Sequence, residues 1–362
     1  MKIMIKVIII IPILCFLVIK TNGQDTSYTQ IGKYTMKRSD YIDNLTAMIN
    51  ITPFIYAASN RFIFAANKKS IQYDPNEAPS IGLRLQHKWL GVSFTYGPKA
   101  IQNKDKGTSE YFNIVFNSYG KKIGFDIYYI GNKGYFVGNK KVMEDLNLKS
   151  QYLIRPDLQT KGLGFNTYYL FNHKKFSYRS SFLHNEIQKR TAGSFLLTFS
   201  GSYYKINADS SVVPTGYQGQ IENISQLRSG SFITAGLMPG YALTVVGFKR
   251  FYATFSLSYG VMYQIQDYQA KSGIKEDEVR RNLWITRGLA RVSAGFNSKY
   301  LYFGVSGVGD NYHIPLGAGN QLQYSIGNVM IFVGSRIKMP KKFSKVSDLM
   351  DKVPLIAEKK DK

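Results

Sequence analysis

Four histidines, His87, His173, His184 and His313, and one cysteine, Cys15, are all that 362 residues offer for imidazole or thiol chemistry. No two histidines form an H-E-x-x-H helix, and Cys15 lies in an N-terminal apolar run, so neither a catalytic nor a structural zinc site is expected. There is no G-x-S-x-G elbow and no P-loop. Gly304, Gly307 and Gly309 imitate a phosphate loop, but they trail a strand into a loop without the helix that would receive the anion. Nucleophilic chemistry is therefore left to a serine and a histidine assembled in space. His184, after Phe182-Leu183, is the best partner for such a serine, and the plainer reading makes it a histidine at the rim of the fold. The remaining chemical set is charged: Asp126, Arg179, Arg287, Arg291 and Arg336 are placed on an inward, polar face. One acid among several arginines makes a salt-bridge network or, as the alternative, an electrostatic filter favouring anions. No catalytic, metal or cofactor-binding residue is assigned, and no cofactor is expected.

The elements that must position these groups are long two-faced strands. Over Phe251 to Gln266, Phe251, Ala253, Phe255, Leu257, Tyr259, Val261, Tyr263 and Ile265 alternate with hydroxyls, amides and a glycine, without one charge. Period two means a strand with an apolar and a polar face. The rhythm returns at 90–96, 112–117, 123–129, 163–171, 194–200 and 284–296. Sixteen residues at roughly 3.3 Å rise and a tilt near 45° project to about 37 Å, beyond the ~25 Å apolar band of an outer-membrane barrel. Short basic turns at 119–122, 172–175, 247–250 and 297–299 separate strands. Longer polar stretches at 97–109, 131–160, 207–229, 267–282 and 309–320 complete the short-turn, long-loop inequality of such barrels. Two longish connections, 185–191 and 207–229, follow one another and mark a missed or misdivided strand. The charge-free run Ser231 to Phe248 has a membrane helix as its alternative. Gly236, Pro239 and Gly240 interrupt its centre, so it is read as a long bent strand with a glycine kink.

Composition agrees with lipid outside and a polar lumen. Aromatics make up 14% of the chain, with 27 Tyr and 23 Phe. Lys2 and Lys6 precede the apolar run Val7 to Ile19, and Lys20-Thr21-Asn22-Gly23 follows. This is the order of a secretory signal, too short for the roughly 20 residues of a spanning helix, and cleavage is expected between Gly23 and Gln24. No cysteine then remains in the mature chain. The net charge is +24, and losing Lys2, Lys6 and Lys20 leaves +21. The basic residues are scattered over strand ends and loops of an exported chain, so no nucleic acid is expected, and the surplus is read either as a solvated surface or as contact with outer-membrane lipid headgroups and lipopolysaccharide phosphates as partners. The tail, with Phe343, Val346, Met350 and Val353 at helical spacing, is read as a short helix capping the barrel mouth, with an element docking a periplasmic envelope partner as the alternative.

The fold class expected is all-β: a transmembrane antiparallel up-and-down β-barrel of about 12 strands (10–14), with a cleaved signal peptide and a short helical C-terminal tail. Residues 1–23 form the signal, 24–44 an N-terminal periplasmic or plug segment, 45–340 the barrel and 341–362 the basic tail. A count near twelve lies between filled eight-stranded barrels and open ones of sixteen, so a constricted or plugged lumen is expected.

The elements Tyr73-Asp74-Pro75-Asn76, Tyr128-Tyr129-Ile130-Gly131-Asn132-Lys133-Gly134-Tyr135, Arg155-Pro156-Asp157-Leu158, 171–179, 188–195 and Pro239-Gly240-Tyr241-Ala242 resemble a family exported by Bacteroidota, domain of unknown function number 4421. The likeness covers nearly all of 40–340. It implies an outer-membrane-type barrel of unassigned activity and carries over no catalytic residues. The expected function is a non-enzymatic outer-membrane barrel of a Gram-negative bacterium, a narrow channel or a structural and docking protein. The alternative is an outer-membrane lipid hydrolase or acyltransferase, which needs Ser or Thr, His and an acid at one depth of the wall.

Overall fold

In the computed structural model, which describes residues 28–31, 34–66, 69–148, 152–215, 227–272, 275–317 and 320–340, the alternating segments become strands that pair with their sequence neighbours. Three short strands come first: β1 (Tyr28–Ile31), β2 (Tyr34–Lys37) and β3 (Ile42–Asn44). The first part of the wall holds β4 (Met48–Ala66), β5 (Lys69–Asp74), β6 (Ser80–His87), β7 (Leu90–Tyr96), β8 (Glu110–Tyr119) and β9 (Ile123–Val137). After helix α1 (Lys140–Asp145) comes β10 (Ile154–Leu170), then helix α2 (Tyr178–Phe182) and the short β11 (Glu186–Gln188). The wall continues with β12 (Ala192–Asn207), β13 (Ser229–Gly247), β14 (Phe251–Ser272), β15 (Lys275–Asn297), β16 (Leu301–Gly317) and β17 (Asn320–Lys338). All pairings are antiparallel, and β17 returns to β4, with Lys338 opposite Met48, to close the sheet. The Gly23/Gln24 junction and residues 341–362 lie outside the described residues.

The closed ring contains β4, β6 to β10 and β12 to β17, twelve strands. Its outer face carries an unbroken apolar belt that includes Ile55, Ile81, Phe94, Phe112, Leu163, Phe195, Phe255, Leu257, Val292 and Ile331, all exposed. Apolar area on this scale has no place in water and is what hydrocarbon requires of a barrel wall. No described helix is long and apolar enough to cross a membrane, and residues 231–247 are strand β13.

Two registers differ from the sequence reading. Residues 267–272, 275–282 and 309–317 belong to strands, because the β14–β15 and β16–β17 hairpins continue their pairing beyond the belt. Polarity there marks the end of lipid and not the end of the sheet. The upper strand count of 14 requires residues 45–57 and 61–74 to form two separate wall strands, and they do not. β4 runs through both, and β5 pairs with its last turn (Phe62 opposite Tyr73) before breaking at residues 75–79 and resuming as β6 (Ser80 opposite Tyr56).

The wall consequently has two tiers. At the end where β4 begins and β17 finishes, here the terminal end, all twelve strands close the ring. Toward the far end the hairpin β7–β8 stops, and β5 pairs directly with β9 (Tyr73 opposite Val137). There β4, β5, β9, β10 and β12 to β17 close a ring of ten.

The lumen is not uniformly polar. In the far half, inward positions hold Phe62, Phe64, Ile71, Tyr73, Tyr135, Phe232, Met262, Ile285, Ile314 and Leu322 in one apolar cluster, joined by Val212 and Val213 of the β12–β13 connection. Tyr73 donates its hydroxyl to the Val212 carbonyl, and Arg155 donates to the Ser211 carbonyl at 2.7 Å. Strands outside the belt need an ordinary protein core between them, and alternation alone does not distinguish an inner from an outer apolar face.

Candidate functional site

The connection between β10 and β12 enters the barrel from the terminal end. Its first residues, Asn172 to Lys175, do not turn the chain straight back as a short hairpin. Ser177 caps α2 by accepting from the Ser180 N–H at 3.1 Å, which satisfies one of the orphan donors of a helix start. Phe176, Tyr178, Arg179, Ser180, Ser181, Leu183, His184, Asn185, Glu186, Ile187 and Gln188 are then all buried. A segment of this composition, hydroxyls and amides among aromatics, is suited to a lumen lined by the same groups.

Its bonds reach several sides of the ring. The Tyr178 and Ser256 hydroxyls lie 3.1 Å apart, Ser181 and Thr254 2.6 Å, and His184 Nε2 and the Tyr252 hydroxyl 2.9 Å, all toward β14. From β4, Asn50 donates to the Leu183 carbonyl at 3.1 Å. From β6, Arg84 donates to Phe182 at 3.3 Å, from β15 Asn297 donates to Ser180 at 3.0 Å and Glu186 at 3.1 Å, and from β17 Arg336 donates to His184 at 2.7 Å. Backbone carbonyls of a buried loop need partners, and the wall supplies them.

Residues 38–44 brace this plug from outside. β11 pairs with β3, Glu186 opposite Asn44 and Gln188 opposite Ile42. Arg38 holds the Glu186 carboxylate with two bonds of 2.9 and 2.8 Å, and Arg179 Nε approaches it at 3.2 Å. Burial pushes the Glu186 carboxyl up, but Arg179 and Arg38 outweigh it and hold the group below its ordinary range. Burial, with Arg336 and Arg84 adding to it, pushes the His184 imidazole well below its ordinary value, so the ring is neutral. The part of the 24–44 segment described from Arg38 onward is thus a strap across the mouth, and the 176–188 loop is what occupies the lumen.

All five charges read from the sequence are buried inside the barrel. Asp126 pairs with Arg291 and also accepts from Tyr119 at 2.7 Å. Arg287 grips Asp310 with two bonds, Nε–Oδ1 2.8 Å and Nη2–Oδ2 2.5 Å. Arg179 belongs to the plug with Glu186. Arg336 binds carbonyls and Asn297 Oδ1 (2.6 Å), with its guanidinium 4.5 Å from the Tyr302 ring. Each arginine of the Arg287–Arg291 set faces its own carboxylate, which removes the surplus field an anion filter needs. Asp310, Glu186, Arg38 and Arg84 are the partners that sequence reasoning passed over. Asp310 stands within an alternating stretch at an inward position and was legible by parity alone.

His184 is not at a rim. It is 1% exposed, has φ of 59° and stacks on Tyr302 with ring centroids 4.7 Å apart. Its hydroxyl neighbour is Tyr252, which in turn meets Ser293 at 3.0 Å. The charges beside it are arginines, so no Ser–His–acid set is assembled around it. Among the described residues, no group of three His, Cys, Asp or Glu could hold a metal ion.

Between the plug and the apolar half lies a cavity of about 160 Å³. Its walls carry Arg84, Ser93, Thr95, Asn113, Asn117 and Asn328, with Phe182 of the plug as floor and Tyr56 toward the far side.

Several solved structures show similarity to this chain, three of them as follows. The outer membrane protease OmpT from Escherichia coli shares 9% identity over 82% of this chain and 98% of that one, with a TM-score of 0.39. The Pseudomonas putida toluene transporter TodX shares 7% over 84% and 95%, with a TM-score of 0.25. The translocator domain of autotransporter NalP from Neisseria meningitidis shares 10% over 81% and 88%, with a TM-score of 0.32. At this level of likeness none of them lends an activity. No curated protein matches the sequence. The family model described as Domain of unknown function (DUF4421) matches residues 26–336, and the chain, a closed antiparallel barrel with an internal plug, belongs to that family.

Proposed function

We propose that the protein is a non-enzymatic barrel of the outer membrane of a Gram-negative bacterium, closed at rest, that serves as a gated narrow conduit or a structural and docking barrel. Its terminal end faces the periplasm, where the strap of residues 38–44 offers a surface to an envelope partner. Lipid and lipopolysaccharide surround the belt. The observation that carries this reading is the plug: the 176–188 loop is buried and bonded to strands on several sides of the ring, with an apolar core sealing the other half.

Planar-bilayer recording of the purified full chain tests it. The intact barrel is expected to stay at baseline. β10 and β12 are already in register to make a short hairpin, since Asn172 Nδ2 donates to the Gly193 carbonyl at 2.7 Å. Replacing residues 173–193 with an Asn-Gly turn, which joins Asn172 to Ser194 in the existing register, is therefore expected to give discrete openings without unfolding the wall. Large unselective conductance from the intact protein would defeat the closed-barrel reading.

A further inference from the structure

The wall has one incomplete seam beside the cavity. β7 and β8 share only four register pairs, Leu90–Ser118 to Ser93–Val115. Above them, Phe94, Thr95 and Tyr96 pair with β6 and residues 110–114 pair with β9, but these two edges do not pair with each other. The reason is in the connection. Residues 97–109 carry two 3₁₀ turns, at Lys99–Ile101 and Lys104–Lys106, and bind the break between β5 and β6: Asn76 Nδ2 donates to the Asn103 carbonyl at 2.7 Å and Ser109 Oγ donates to the Gly134 carbonyl at 2.8 Å. Held toward β5 and β9, the tip spreads the hairpin. Unpaired backbone facing hydrocarbon is costly, and irregular backbone at membrane depth is tolerated where it lines a cavity. The flanks of the seam are apolar outside, with Phe94, Tyr96, Phe112 and Ile114 all exposed.

Ser93 and Thr95 on one edge, and Asn113 and Val115 on the other, also line the 160 Å³ cavity. The space behind the seam holds one unmatched cation. Of the lining acids, Asp126 is paired with Arg291 and Asp310 with Arg287. Arg84 forms no ion pair among the described residues; Asp126, on the same cavity, is engaged by Arg291. It donates to Ser93 Oγ at 2.9 Å, the Phe182 carbonyl at 3.3 Å and Met330 Sδ at 3.5 Å, and stands 5.8 Å from the Phe54 ring centroid. Arg84 is half-buried, and a guanidinium partly withdrawn from water is stabilised by a matching anion, which its planar fork binds with strong, charge-assisted bonds.

We infer that the cavity is a binding site for the anionic head of a single-chain amphiphile, a carboxylate or phosphate on an acyl or alkyl chain, with the head at Arg84 and the chain leaving between β7 and β8 into the surrounding lipid. At roughly 10–15 Å³ per water, the 160 Å³ cavity holds about 11–16 waters, room for a head group and not for a whole lipid. The seam lies in the half of the belt toward the far end, which the orientation proposed above makes the outer leaflet. That assignment of leaflet rests on the closed-barrel reading, whereas the binding does not.

The test uses the full chain in a neutral maltoside detergent, titrated with dodecanoate, dodecyl phosphate, dodecanol, acetate and inorganic phosphate. One equivalent of dodecanoate or dodecyl phosphate is expected to bind, and the better of the two identifies the source as a free fatty acid or a phosphorylated lipid. Dodecanol is expected to bind about tenfold or more weaker, the factor a charge-assisted bond commands. Arg84→Gln is expected to lose that factor and Arg84→Lys to recover part of it. Thr95→Trp, which fills the seam and leaves Arg84 in place, keeps the question open if the Arg84 variants do not fold, and it is expected to abolish binding. Equal binding of dodecanol would overturn the head-group assignment, and acetate or inorganic phosphate binding as tightly as the amphiphiles would overturn the seam. No binding of any probe overturns the site. Bilayer conductance of the same preparation reports separately on the closed barrel.

Discussion

Arg287 and Asp310 meet out of reach of bulk solvent, as do Arg291 and Asp126. Removing one member of such a pair leaves a buried charge, at a cost of about 3–5 kcal/mol, whereas replacing both with apolar groups of similar volume costs far less. Asp310→Asn and Arg287→Met are each expected to lower the urea midpoint of the detergent-solubilised barrel markedly, and the double variant to lie well above the sum of the two losses. Additive losses would mean that the pair does not act as a unit. The plug carries a pH dependence of definite sign. His184 is held below its ordinary value of 6.5, so as pH falls below about 6.5 the released loop takes up a proton that the docked loop refuses. Glu186 is held below its ordinary 4.5, so its contribution is present above that value and is lost as pH falls through it toward the depressed one. Acid therefore loosens the plug in two stages. Proteolysis of the 176–188 loop is expected to accelerate between pH 7 and 5, and His184→Phe is expected to flatten that first stage. An unchanged profile in the variant would remove His184 from the account.

Among the elements, the β13–β14 pair shows what a long strand needs to pass a crowded neighbour. β13 crosses Met238 and Pro239 without a pair on β14, then resumes at Gly240 opposite Ser258. Proline has no N–H to offer the ladder, so the break falls where it must. Gly260 faces this break, and a Cβ there would stand 2.1 Å from the Leu237 carbonyl oxygen and 2.6 Å from the Met238 Cα. Gly260→Val is expected to cost about 1–3 kcal/mol, because backbone and not a mobile side chain must give way. Loss of the heat-modifiable folded band on gels at a lower temperature would show it, and a wild-type transition would mean that β13 can retreat. The connection 171–191 obeys a different constraint. It is an insertion between two strands already in register, so its removal leaves the hairpin intact, and its docking depends on complementarity with the lumen.

For the whole molecule, the decisive contrast is between the two faces of β14. Phe255 is 52% exposed on the belt, while the adjacent Ser256 is 2% exposed and bonded to Tyr178 of the plug. Phe255→Arg and Leu257→Arg are expected to cost about 2–4 kcal/mol of insertion, the depth-dependent penalty for a cation facing lipid. A lumen position in an open barrel would tolerate Ser256→Arg. Here the position is enclosed against the plug, so this variant is expected to displace the loop and open conductance while the wall still inserts. Insertion failure of all three variants alike would mean that the lumen and lipid faces are equally dry. The two-tier wall extends the same logic: twelve strands leave too much space for side chains alone to fill, and the terminal half fills it with a loop while the far half, narrowed to ten strands, fills it with an apolar core.

The sequence by itself determined the wall. Strict alternation from Phe251 to Gln266 and its echoes established strands, their lipid face and the inward placement of Asp126, Arg287 and Arg291, because a side-chain period of two is a local property. Polarity at 267–282 and 309–320 misled, since it reports the edge of hydrocarbon and the ladder ignores that edge. Tertiary structure alone decided what stands in the lumen. Nothing local distinguishes a loop of serines and aromatics in water from one docked inside a ring, and the pairing of Glu186 with Arg38, or the placement of Arg84 beside the β7–β8 seam, exists only once residues far apart in the chain share one enclosed interior.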